Sequence, residues 1–320
     1  MNAAETTKLI DTRLVYGFPD AGKTSYIQDC VMNDRFYKRG YTLVLCFEEG
    51  EAAYDEAALE EKNTAVVYYG GGDVKEFCEG CIEAFRPDRI YVEMNSGMPE
   101  LREQLPECMK VTFAAALIDW DTFQACYAAS LQELRQMVAE SNQVTFRGCP
   151  SRRVLEPYSQ AFRVMNPNAS YLRQDPMGYH EKAFDLFVPF SLDADEISVG
   201  EKEFLPLWLD SFDHPEHYDG KMLRFTDPLE VRRDGTDGLL ACGRVVMACC
   251  MADLQFMSFE LLVNAGRTAG TAAPAEGWYT MDAQAEVVTG SYGRRKLRLI
   301  PKAIHHAQAP ETLILDSRRQ

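Results

Sequence analysis

The segment Gly17-Phe18-Pro19-Asp20-Ala21-Gly22-Lys23-Thr24 constrains this chain more than any other. It has the spacing G-x-x-x-x-G-K-[ST], follows the apolar run 12–16 (TRLVY) and opens a stretch of helical spacing. Strand, glycine turn and helix, in that order, are the context in which this spacing has physical meaning. Gly17 and Gly22 permit a backbone curl whose N–H groups converge on phosphate oxygens, and the helix N-terminus adds its positive dipole end. Lys23 supplies a cation to the β and γ phosphates of a nucleoside triphosphate, and the Thr24 hydroxyl is placed to ligate Mg2+. Gly17, Asp20, Ala21, Gly22, Lys23, Thr24 and Ser25 are therefore the expected nucleotide-binding residues.

The surrounding pattern supports that reading. Apolar, β-branched runs at 41–47 (YTLVLCF), 64–69 (TAVVYY), Arg89–Glu93 (RIYVE), 111–119 (VTFAAALID) and 143–146 predict strands. Val74–Phe85 and 122–142 have helical spacing between them, and a short helix is expected near 101–108. Alternating strands and helices imply an α/β fold, a P-loop parallel sheet with helices on both faces. After residue 175 the pattern changes. Residues 176–202 are acidic and proline-containing and suit a linker. From 203 to 320 a short helix at 203–212 precedes strand-like runs at 221–231, 239–251, 254–263, 278–288 and 297–304. Pro301 restricts the last of these to an edge. About five strands without intervening helices predict a small all-β barrel or sandwich. Residues 264–277, rich in Gly, Ala and Thr, read as a loop.

Composition limits the partners. Lys plus Arg total 33 against 49 Asp plus Glu, a net charge of -16, which repels a phosphate backbone, so nucleic acid is not an expected partner. No run approaches the roughly 18 apolar residues of a membrane span. The beginning, MNAAETTKLIDTRLVYGF, lacks a basic-then-apolar pattern, and ten cysteines without such a pattern read as reduced thiols. The expectation is a cytoplasmic protein.

Beyond the phosphate loop, Glu93 closes a predicted parallel strand, on the edge where such sheets bind ligands. It is a candidate to hold Mg2+ through water or to position the attacking water. A solvated strand-end carboxylate is the plainer alternative. Gly97 offers a backbone N–H near the γ-phosphate.

These residues resemble the CobW-like P-loop GTPases (the CobW/HypB/UreG nucleotide-binding type). GFPDAGKTS resembles their phosphate loop, and FEEGEAAYDEAAL is similar to their switch region. That implies catalytic roles for Glu51 and Asp55 beside Lys23 and Glu93, and Mg2+ ligation by Glu48 and Asp55 with Thr24. LIDWDTF resembles the strand that brings Asp119 near the site. PEHYDGKMLRFT, GRVVMACCMADLQFMSF and GWYTMDAQAEV resemble a second, OB-like domain of a Firmicutes-type subgroup, also seen in permease subunits. Where these GTPases read guanine with Asn-Lys-x-Asp, this chain has Arg147-Gly148-Cys149-Pro150, and their Cys-x-Cys-Cys metal motif is absent. The base, GTP or ATP, is left open.

Cys78 and Cys81 form C-x-x-C within a helical pattern, where buried core thiols compete with a zinc site that lacks partners. Cys249 and Cys250, with Cys242 or Asp253, can hold Zn2+ only at a bulge, because neighbours on a regular strand face opposite ways. Sulfur packing in a barrel core is the alternative. His214, His217, His305 and His306 read as surface or capping residues unless the fold carries them to those cysteines. Three functions follow. The first is a Mg2+-dependent NTPase acting as a switch or metallochaperone toward a metalloprotein client. The second is a nucleotide-sensing adaptor of a membrane permease. The third is a zinc store in the β domain alone.

Overall fold

The computed structural model describes residues 8–33, 40–48, 50–185, 188–233, 240–248, 253–263, 274–290 and 293–317. They form two compact units. One runs to Glu156 and takes in Asn168–Phe184, and the other comprises Pro157–Pro167 and everything from Asp185 onward. No helix among the described residues is long and apolar enough to cross a membrane.

In the first unit the chain runs β1 (Ile10–Gly17), α1 (Lys23–Met32), β2 (Thr42–Cys46), α2 (Glu56–Glu60), β3 (Thr64–Tyr68), α3 (Val74–Phe85), β4 (Arg89–Glu93) and β5 (Met109–Asp119). It continues through α4 (Trp120–Ala129), α5 (Leu131–Ala139), β6 (Gln143–Arg147), β7 (Ser170–Gln174) and β8 (His180–Lys182). The sheet order is β3-β2-β4-β1-β5-β6-β7-β8, parallel except for the β7–β8 hairpin. Every residue of β2 and β4 is buried, as a strand covered on both faces requires. The order reverses about β1, which lies between β4 and β5, so the loop after β1 opens at the switch point where open α/β sheets bind ligands.

Sequence and structure part at several places here. The helix expected over 122–142 is interrupted at Ser130, whose ψ of 43 and extended φ of -131 end α4 before α5 begins. The expected helix at 101–108 shortens to a 3-10 turn at Leu101–Gln104. Residues 176–202 carry β8 in this sheet and β9 in the second unit, so the stretch is not featureless.

The second unit contains α6 (Ser159–Met165), β9 (Glu196–Val199), α7 (Glu201–Asp213), β10 (Met222–Arg233), β11 (Leu240–Met247), β12 (Leu254–Leu261), β13 (Gly277–Thr289), β14 (Arg295–His306) and β15 (Ile314–Asp316). Its sheet order is β15-β11-β12-β14-β13-β10-β9, and β10 also pairs with β11. That extra pairing closes β10, β11, β12, β14 and β13 into a ring, which removes free edges from the five long strands. Inward positions alternate with outward ones: Cys242, Arg244 and Val246 are fully buried on β11. Pro301 does not make β14 an edge strand, contrary to the sequence expectation. β14 meets β12 only at Arg298 and Leu299, and Pro301 sits beyond that contact, at a register shift against β13. A bulge past the last β12 hydrogen bond is where a missing N–H costs little.

Candidate functional site

Local backbone chemistry shapes the loop between β1 and α1. Gly22 has φ 83, in the left-handed region, and a Cβ there would lie 1.4 Å from Nη1 of Arg147. The left-handed conformation favours glycine here, and any larger residue would also push the Arg147 guanidinium aside. Asp20 also takes a left-handed φ of 58. Its Oδ1 accepts a hydrogen bond from the backbone N–H of Glu51 at 3.2 Å, tying the loop to the segment after β2. Asp55, Asp73 and Asp119 cap α2, α3 and α4 by accepting from the N–H of the third residue on. No side chain caps α1. The orphan N–H groups of its first turn and their dipole thus face the glycine loop, a ready site for an anion.

Four candidates come together beneath that loop. Lys23 is 3% exposed, and its ammonium donates to the carbonyls of Gly17 (3.0 Å) and Phe18 (2.9 Å) and to Oε1 of Glu48 (3.1 Å). The other Glu48 oxygen accepts from the backbone N–H of Ser96 at 3.1 Å. Thr24 donates its hydroxyl to Oε1 of Glu93 at 2.9 Å. Glu93 itself is 2% exposed at the end of β4, beside Val15 of β1 and Cys46 of β2. Its Oε2 accepts from the Tyr54 hydroxyl and, at 3.7 Å, from the Cys46 thiol. Burial, and then the Glu93 charge, push the Tyr54 phenol far above its usual range, so it stays a donor at any physiological pH.

Other sequence candidates lie elsewhere. Ser25 is exposed on α1. Glu51 and Asp55 are exposed on the segment after Glu48, with the Asp55 carboxylate engaged as the α2 cap at 3.1 Å from the Ala58 nitrogen. Asp119 serves α4 in the same way. The Gly97 N–H is taken by the Asn95 side chain at 2.8 Å. Cys78 and Cys81 are buried on α3, and burial pushes the Cys78 thiol up to about 12. Such a thiol is neither a ready nucleophile nor a ready ligand. Burial also pushes Cys242 up to about 12. Cys249 and Cys250 lie outside the described residues.

Two site residues were not singled out for these roles by the sequence. Tyr54 is one. Arg147, at the end of β6, is the other: its Nη1 donates to the carbonyls of Ala21 (3.0 Å) and Gly22 (2.7 Å), and its Nε to Gln174 (2.9 Å). Arg147 is thus a clamp on the glycine loop between β1 and α1. Its position at a strand end was legible, but its partner was not.

The donors suit a hard divalent cation. The Thr24 hydroxyl and the Glu48 and Glu93 carboxylates are all oxygen donors, the set Mg2+ prefers. One buried and one half-buried carboxylate beside an anion site with one lysine also leave an excess of negative charge that a polyphosphate would worsen and a divalent cation would relieve.

A parallel sheet with a glycine loop and lysine at its switch point defines a P-loop nucleotide-binding fold. No protein-family model matches the sequence, and no curated protein matches it. Among solved structures the chain is similar to the hydrogenase maturation factor HypB from Archaeoglobus fulgidus, with 9% identity, 52% of this chain and 81% of that one covered, and a TM-score of 0.35. It is also similar to HypB from Helicobacter pylori in complex with nickel (11%, 51% and 78%, 0.35) and to a zinc-bound triple mutant of the YjiA GTPase (12%, 91% and 93%, 0.40).

Proposed function

We propose that this protein is a Mg2+-dependent P-loop nucleoside triphosphatase that binds GTP and works as a slow switch in metal handling. One observation carries the reading: the half-buried Lys23–Glu48 pair and the buried Thr24–Glu93 pair are set beneath the uncapped N-terminus of α1. Thr24, Glu48 and Glu93 would hold Mg2+, which supplies charge neutralisation at the phosphates. The chain's own groups do the rest. Lys23 exchanges its carbonyl and Glu48 contacts for phosphate oxygens, and the α1 N–H groups orient them. Glu93, fixed by Tyr54 and Thr24, positions a water. Glu51 and Asp55 ride on a segment already tied to the loop through Asp20, so a change at the phosphates reaches them directly.

The ring of β10, β11, β12, β14 and β13, with only the β12–β14 pairing parallel, supports the OB-like reading of the second unit. A metalloprotein client would be engaged through that unit. The Arg147 clamp favours a second reading, an adaptor of a permease that senses nucleotide without hydrolysing it, because it stiffens the loop where a guanine reader is absent. Steady-state turnover separates the two. Phosphate release from GTP by the wild-type chain, abolished in Lys23→Ala, supports the switch; binding with no release above the Lys23→Ala background favours the adaptor.

A further inference from the structure

The C-terminal end of α7 builds a cluster that the nucleotide reading does not use. α7 stops at Asp213, and Pro215 starts a 3-10 turn, Pro215–Tyr218, closed by the His217 N–H donating to the His214 carbonyl at 3.0 Å. Residues three apart eclipse in such a turn. The His214 and His217 rings accordingly stack, with centroids 4.9 Å apart, and the Glu216 carboxylate lies between them in sequence with Oε1 3.4 Å from Nδ1 of His214. One ligand atom from each of His214, Glu216 and His217 falls within 4.8 Å of the others.

A second observation points to a ligand. Asp210, 4% exposed on α7, places Oδ2 2.8 Å from Nδ1 of His217 and accepts a second hydrogen bond there from the Tyr218 hydroxyl at 2.7 Å. A buried carboxylate accepting from Nδ1–H fixes the proton on that nitrogen. The Nε2 lone pair is then left as the ligand atom of an oriented ring, the arrangement that supports metal-bound histidines.

We propose that His214, Glu216 and His217 bind a divalent cation of the zinc class, with Asp210 as the positioning residue. Two imidazoles and one carboxylate give three protein ligands and leave a coordination position open, so the ion is exchangeable rather than structural. The exposed Arg295, whose Nη1 is 3.5 Å from Oε2 of Glu216, is the cation the metal displaces. No thiol is needed. The inference stands on the second unit alone and survives failure of the nucleotide reading.

The test loads the full chain with Zn2+, desalts it and measures retained zinc, with competition against a chromogenic chelator for affinity. The wild type retains zinc, with only nitrogen and oxygen neighbours by X-ray absorption. The double variant His214→Ala/His217→Ala, at one exposed and one half-buried position, loses it. Asp210→Asn binds about 10- to 100-fold more weakly, and Lys23→Ala binds normally. A wild type that emerges free of zinc overturns the proposal. So does a double variant that retains zinc unchanged. Should Asp210→Asn fail to fold, the double variant alone decides.

Discussion

Glu93 sits at the most constrained point of the site, accepting from Thr24, Tyr54 and Cys46 while almost wholly buried. Tyr54→Phe removes a hydrogen bond to a charged group, and the expected loss is about 1.5–3 kcal/mol in denaturant unfolding at neutral pH. The alkaline limb carries a second signature. Because the folded Tyr54 phenol titrates above its unfolded value near 10, the folded chain binds more protons there, so stability falls as pH rises past about 10. Tyr54→Phe flattens that fall; an unchanged slope would place Tyr54 outside the buried pair. Arg147→Ala strips the Ala21 and Gly22 carbonyls of their donor, at about 1–3 kcal/mol. The reading predicts this loss in nucleotide affinity as well as in melting temperature. Affinity that rises instead would mean the clamp holds the loop away from its ligand.

Elements explain what the sequence allowed one to read. The glycine loop before α1, β1 through β6 and the place of Glu93 at the end of β4 were legible because each is encoded locally, by glycine spacing or by a short apolar run ending in a carboxylate. Tyr54 meets Glu93 across 39 residues and Arg147 meets Gly22 across 125, and no local pattern records such contacts. The strand β7 (SYLRQ) was missed because Arg173 and Gln174 interrupt its apolar signal, although Arg173 is buried and paired with Glu181 of β8. Pro301 misled for the opposite reason, since a real local preference was satisfied by a bulge. Between β11 and β12 the packing is tighter than any pattern reveals: a Cβ on Gly243 would stand 1.9 Å from the Met257 carbonyl oxygen. That contact is backbone and cannot swing away. Gly243→Ala should cost at least the upper part of the about 1–3 kcal/mol typical of overpacking. Thermal unfolding of the variant checks this, and an unaltered melt would mean the two strands part more easily than their register implies.

At the scale of the molecule, the two units divide the chemistry. The first offers an anion site with hard oxygen donors, and the second offers a closed ring of strands and an imidazole cluster. A ligand that binds only the folded first unit stabilises it by mass action, about 2.7 kcal/mol at one hundred times its dissociation constant. The central claim is that Lys23 and Thr24 hold the phosphates of a guanine nucleotide with Mg2+. Calorimetric titration of the full chain with GTP and with ATP, each with Mg2+, for wild type and Lys23→Ala, tests it most directly. The account predicts Mg2+-dependent binding that favours GTP and weakens about 10- to 100-fold in the variant, the loss of one charged hydrogen-bonding group worth about 1.5–3 kcal/mol. Equal affinity for wild type and variant, or no heat with either nucleotide, would contradict it.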